Sequence, residues 1–157
     1  MSLDRAWIEQ HVPHRGRMCL LDAVRSWDTA HVECAARTQG AADHPLRAHG
    51  RLGAACALEY AAQAMAVHGA LLEPGAHAAG AFGLLTSARE VELYVARLDD
   101  LAGELLVRVE RLHSGADGAL YGFSLRHAQR LLAQGRLSLW LGVRPPAAGG
   151  APGGAAP

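Results

Sequence analysis

Three side chains in one short stretch are of the types that move protons. His44 and His49 stand in a polar, arginine-containing loop, and Glu59 follows fifteen positions after His44. A histidine titrates near neutral pH, which suits a general base. A carboxyl group among apolar neighbours is raised in pKa and stays protonated longer, which suits an acid. Gly53 and Ala54 stand where a helix begins. Backbone N–H groups at such a position, helped by the helix dipole, stabilise a developing oxyanion. Gln63 lies one helical turn beyond Glu59 and shares its face.

Each group also has a plainer reading. Glu59 suits a structural carboxylate held by an arginine or by backbone donors, and His44 a brace for its loop. Gln63 suits a structural amide as well as a group that orients Glu59. His68 reads as a satisfied core histidine, and Cys56 as small core filler. His49, ten positions before Glu59, is the rival base.

The element that must position these groups runs from Gly53 to Leu72. It is almost unbroken apolar sequence, rich in Ala, Leu and Met, with only Glu59, Gln63 and His68 inside it. These are strong helix formers. The apolar residues cover every face, as in a helix buried on all sides. A carboxylate there is costly unless it is paired, hydrogen-bonded or neutral, so Glu59 needs an explanation. Glu73, Pro74 and Gly75 end the helix.

Around it the chain reads mostly as strands. Residues 2–10 suit a short amphipathic helix capped by Ser2. Residues 18–24 and 31–37 form an expected hairpin about a turn at 27–29, and residues 38–43 read as loop. Beyond residue 79, strands are expected at 82–85, 91–95, 104–112, 120–127 and 131–143, with a turn at 114–118. Residues 145–157, rich in Pro, Gly and Ala, read as a disordered tail. A single helix that is apolar all round needs a curved antiparallel sheet about it, an α+β arrangement in one domain over residues 1–144.

Composition excludes several classes. The 157 residues carry 15 basic and 15 acidic groups, and every basic one is Arg. Zero formal net charge gives no footprint for nucleic acid or an anionic membrane. The three cysteines, Cys19, Cys34 and Cys56, are widely spaced in apolar surroundings and read as free thiols in a reducing compartment. No spacing of Cys or His suggests a metal. The charged N-terminus does not read as a signal peptide, and the polar residues inside the apolar run argue against a membrane span. A cytoplasmic protein is expected.

Three motifs carry a resemblance. Residues 13–24, PHRGRMCLLDAV, supply an opening Pro-His-Arg followed by an apolar run with Asp. His44-Pro45 precedes a helix bearing Glu59 and Gln63, and GRLSLWL closes the chain near its end. The sequence resembles the hot-dog dehydratases that act on 3-hydroxyacyl groups carried by acyl carrier protein, in the branch of aryl-polyene and related lipid clusters. It departs from their pattern in three places. The family spaces its histidine and carboxylate one residue closer. Gly53-Ala54 replaces a Pro-Gly, and Leu98-Asp99-Asp100 replaces a later loop.

The resemblance implies a hot-dog fold and the removal of water from a 3-hydroxyacyl thioester in fatty acid or aryl-polyene-like lipid biosynthesis. On that reading His44, with His49 as rival, takes the proton alpha to the carbonyl. Glu59 acts as the acid or orients water, Gln63 supports it, and the Gly53 and Ala54 amides meet the oxyanion. No cofactor or metal is implied. The partners implied are an acyl carrier protein, met by Arg17, Arg47 and Arg51, and a second hot-dog subunit in a homodimer or heterodimer. In that dimer the histidine and the facing carboxylate come from different subunits. His14 and Arg15 are read as braces of a strand end or the pocket mouth. The alternatives are a hot-dog thioesterase and a catalytically silent subunit of a heteromeric dehydratase.

Overall fold

A computed structural model describes residues 3–75 and 83–141. Helix α1 (Arg5–His11) opens the chain and is capped by Asp4, whose side chain accepts from the Trp7 N–H at 3.1 Å. The cap is therefore Asp4, and Ser2 lies outside the described residues. Strands β1 (Ala23–Trp27) and β2 (His31–Ala36) form the expected hairpin. Its turn is set by Asp28, whose carboxylate accepts from the Ala30 and His31 N–H groups at 2.7 and 2.8 Å.

Residues 18–22, expected as the start of that first strand, are not in one. A 3-10 turn (Gly16–Met18) is followed by extended chain up to Ala23. The reason is a side chain. Gln63 donates to the Met18 carbonyl at 2.7 Å and accepts from the Leu20 N–H at 2.8 Å, so these two groups are satisfied without a strand partner.

Helix α2 (Ala57–Leu72) is the central element, preceded by a 3-10 turn (Ala54–Cys56). Four long strands follow: β3 (Gly83–Leu93), β4 (Leu105–Ser114), β5 (Gly118–His127) and β6 (Arg130–Leu141). The two apolar runs expected at 82–85 and 91–95 merge into β3, which absorbs irregularities at Leu85/Ser87 and Arg89/Glu92. Gly135 does not break β6. A side chain there would meet Phe123 Cε1 at 2.9 Å and Val91 Cα at 3.1 Å, so only glycine lets the strands approach.

All six strands join one antiparallel sheet in the order β1-β2-β4-β5-β6-β3, and the sheet is not closed. Alternate residues point at α2: Val32 and Cys34, then Leu105, Val107 and Val109, then Tyr121, Phe123 and Leu125 are all buried. This is the hot-dog arrangement, a curved sheet around one helix. The helix is not covered on every side. Tyr60, Ala61, Ala64, Met65, Val67 and His68 are buried, but Glu59, Ala62 and Ala66 are only half-buried and Gly69 is exposed. That stripe recurs at helical spacing and borders a cavity. Residues 145–157, expected as a tail, lie outside the described residues.

Candidate active site

The uncovered stripe of α2 forms one wall of a cavity of about 520 Å³. Glu59, Ala62, Ala66, Gly69 and Leu72 follow it along the helix, a run of about 20 Å at 1.5 Å per residue. Leu85 of β3, Tyr121 of β5, and Leu139 and Leu141 of β6 face them, and Pro13 and His14 join from the loop after α1. The lining is mostly apolar, with a few polar groups, as small-molecule sites are built.

Glu59 is paired in its own chain. His14 Nε2 lies 3.2 Å from Glu59 Oε1, and Gln63 Nε2 donates to the same oxygen at 3.2 Å. The hydrogen bond from His14 holds the Glu59 carboxyl below its ordinary value, against the opposing effect of burial and with help from Gln63. An apolar helix alone predicts a raised carboxyl. The two donors reverse the sign, so Glu59 is a carboxylate near neutral pH. Gln63, fully buried, ties this carboxylate to Met18 and Leu20.

The loop bearing His14 is anchored independently. Arg5 donates to the carbonyls of Gly16 at 2.9 Å and Cys19 at 2.8 Å, and to Asp22 Oδ1 at 3.2 Å. Gly16 adopts a φ of 57°, a left-handed turn that glycine accommodates without strain.

His44 sits elsewhere in this chain. It is 5% exposed, and both ring nitrogens are engaged. Nδ1 accepts from the Leu46 N–H at 3.1 Å, so Nε2 carries the proton and donates to the Tyr60 hydroxyl at 3.1 Å. Tyr60 in turn donates to Thr38 Oγ1 at 2.8 Å, and Thr38 to the Leu20 carbonyl at 2.8 Å. Burial, with the nearby Arg47, pushes the His44 pKa down. The chain thus links His44 to Glu59 only indirectly, through Tyr60, Thr38, Leu20 and Gln63. His49 is exposed at the tip of a tight turn between Ala48 and Arg51, with a φ of 51°.

The two amides at the helix start differ. The Ala54 N–H donates to the Ala96 carbonyl at 3.1 Å, so it is committed within the chain. The Gly53 N–H has no backbone partner among the described residues. Asp99 fixes this segment. Its side chain, 3% exposed, accepts from the Leu52 N–H at 2.9 Å and pairs with Arg47 at 2.9 Å and with Arg97. The Arg97 guanidinium holds the Asp99 carboxyl far below the usual range. Arg47 is therefore engaged, while Arg17 remains 70% exposed. Burial pushes the Cys56 thiol up, away from the reactive thiolate.

Sequence reasoning gave His14 only a bracing role, because its distance along the chain from Glu59 carries no periodic signal. His68 is a satisfied core histidine: Nε2 faces the Asp28 carbonyl at 2.9 Å and Nδ1 the Tyr121 hydroxyl at 2.8 Å.

Comparison with known proteins agrees with this fold. A dehydratase heterocomplex, ApeI:P from Xenorhabdus doucetiae, superposes with a TM-score of 0.73 at 21% identity, over 87% of this chain and 91% of that one. Zebra fish thioesterase superfamily member 2 gives 0.61 at 18% identity, over 90% and 99%. A Staphylococcus aureus thioesterase gives 0.56 at 12% identity, over 76% and 91%. No curated protein matches the sequence. The ApeP-like family, described as ApeP dehydratase, matches residues 6–145. With its hot-dog sheet, its central helix and nearly the whole described chain within that match, the protein belongs to the ApeP-like dehydratase family.

Proposed function

We propose that this protein removes water from 3-hydroxyacyl thioesters held on acyl carrier protein, in fatty acid or aryl-polyene-like lipid biosynthesis. The observation that carries this reading is a carboxylate–histidine pair on the wall of a long, mostly apolar cavity. The thioester carbonyl makes the C2 proton acidic, so positioned side chains suffice for the elimination. A base takes the C2 proton, the C2–H pair becomes the C2=C3 double bond, and the C3 oxygen leaves as water with a returned proton. The Gly53 amide, without a backbone partner among the described residues, is the candidate donor to the developing enolate oxygen.

The active unit is a dimer of hot-dog subunits, of this chain with itself or with a related one. Strand β3 has a single neighbour, β6, and its other edge is unpaired among the described residues. Leu84, Leu85, Trp140 and Leu141 stand exposed beside it. An open edge bordered by large apolar side chains is what another subunit covers. Arg17 and Arg51, exposed on the loops before α2, suit an acidic carrier protein. We place the reaction in the cytoplasm, which the three free cysteines suit. Among the described residues no helix is long and apolar enough to cross a membrane.

One observation favours a second reading. An ionised Glu59 suits orienting a water toward a thioester carbonyl, which is hydrolysis. One assay separates the two. A 3-hydroxyacyl carrier protein is incubated with the chain alone, then with a hot-dog protein encoded beside it, and its mass is followed. Loss of one water supports the dehydratase, release of the free carrier thiol supports the thioesterase, and neither in either case contradicts both.

A further inference from the structure

The cavity is not uniform along its length. One end holds the paired His14 and Glu59, and Ala62, Met65, Ala66 and Leu139 make its wall apolar beyond them. Arg111 of β4 also stands in that wall. It is half-buried, and its guanidinium donates to the Thr29 carbonyl at 3.0 Å. The Asp28 carboxylate of the same turn is taken by His31 at 2.8 Å, and no carboxylate pairs with Arg111 among the described residues. A guanidinium has five N–H donors, so most of its capacity is left over. The turn does not need the side chain to hold it, because the Arg111 backbone N–H already donates to the Ala30 carbonyl at 2.7 Å.

Neighbours place Arg111 along the cavity. It pairs across β4 and β5 with Tyr121, whose hydroxyl lies 2.8 Å from His68 Nδ1. His68 Nε2 faces the Asp28 carbonyl at 2.9 Å, and a carbonyl only accepts. Nε2 therefore carries the proton, and the Tyr121 hydroxyl donates to Nδ1. Tyr121 has no hydrogen left to give, so Arg111 is the charged donor of this part of the lining. His68 follows Glu59 by nine positions on α2, about 13 Å at 1.5 Å per residue, or roughly ten bonds of an extended acyl chain. A cation beside an apolar space is costly until an acceptor enters. Glu73 lines the same end and repels a carboxylate, which favours a neutral oxygen as that acceptor.

We propose that Arg111 reads the far end of the acyl chain, donating a hydrogen bond to a neutral oxygen carried there. This rests on the dehydratase reading above. The reacting atoms stay at the Glu59 end, in the assembled dimer, and Arg111 sets which chains fill the cavity productively. A chain ending in methyl leaves the remaining Arg111 donors without a partner, and one ending in hydroxyl supplies it. A site built to hydrogen-bond a hydroxyl rejects the analogue that lacks it.

Competition between two chains tests this. The full chain, in the assembly that eliminates water, is given an equal mixture of two 3-hydroxyacyl carrier proteins of about thirteen carbons, one ending in methyl and one in hydroxyl. Mass spectrometry follows water loss from each, and the ratio of the rates is the ratio of kcat/KM. The hydroxyl-ended chain is expected to be preferred by about 10-fold or more. The preference should vanish in a pair of about eight carbons, which does not reach Arg111. At the longer length Arg111→Met should bring the ratio close to one, while Arg111→Lys, which keeps a charged donor, should retain part of it. Thermal melts check the fold of both variants. An arginine that only held the turn would change both rates alike and leave the ratio as it was. A wild-type ratio near one at the longer length, a ratio unchanged in Arg111→Met, or preference for a carboxylate-ended chain over the hydroxyl-ended one overturns the Arg111 assignment and leaves the dehydratase standing. A wild-type protein that removes water from no chain of either length overturns the dehydratase reading itself.

Discussion

His14 Nε2 lies 3.2 Å from Glu59 Oε1, across the gap between the loop after α1 and the first turn of the central helix. One contact explains how a carboxylate persists in an otherwise apolar helix. It also fixes the charge state of that carboxylate, because a donor outweighs burial. The consequences extend to the residues that hold this pair in place.

Gln63 joins Glu59 to the backbone at Met18 and Leu20. Replacing it with Ala strands a buried Leu20 N–H and frees Glu59 on one side. The expected cost is about 1–3 kcal/mol of stability, read by urea denaturation. A fall in turnover is expected as well, since the carboxylate loses one of its two donors.

The outline of the fold was legible in the sequence because its signals are local. The apolar run with Pro74 and Gly75 behind it marked α2, alternation marked β4, and the turn at 114–118 separated it from β5. What was not legible came from contacts distant along the chain. Residues 18–22 look like a strand, but Gln63 takes the Met18 carbonyl and the Leu20 N–H. Within this chain His44 meets Tyr60 and His14 meets Glu59, and neither contact has a period in the sequence. The commitment of the Ala54 amide to Ala96, and the hold of Asp99 on Leu52, likewise have no sequence period.

His44 is the buried donor to Tyr60. His44→Ala leaves the tyrosine hydroxyl with one partner fewer. It should destabilise the chain by about 1–3 kcal/mol, which for a chain of this size lowers Tm by several degrees. Differential scanning calorimetry reads the shift.

The buried neutral histidines, His44 and His68, make stability depend on pH. Burial lowers both pKa values from 6.5. Below 6.5 the unfolded chain binds protons that the folded chain refuses. Their contribution is therefore full above pH 6.5 and is lost as pH falls through the folded values. Denaturation at a series of pH values should show stability dropping from pH 7 toward 5. His68→Asn should flatten that slope.

Asp99 holds the chain just before α2 through Leu52 and Arg47. Asp99→Asn weakens both attachments. Hydrogen exchange should quicken several-fold at the Leu52 amide and across residues 44–52, while the amides of β4 and β5 stay protected.

The central claim is that Glu59 belongs to a dehydratase site. It is tested most directly by the mass of a 3-hydroxyacyl carrier protein after incubation with wild type or with Glu59→Gln, in the assembly that is active. The account predicts loss of one water with wild type and a rate lower by about 100-fold or more with Glu59→Gln at unchanged fold. Water loss by Glu59→Gln within a few-fold of wild type would contradict it.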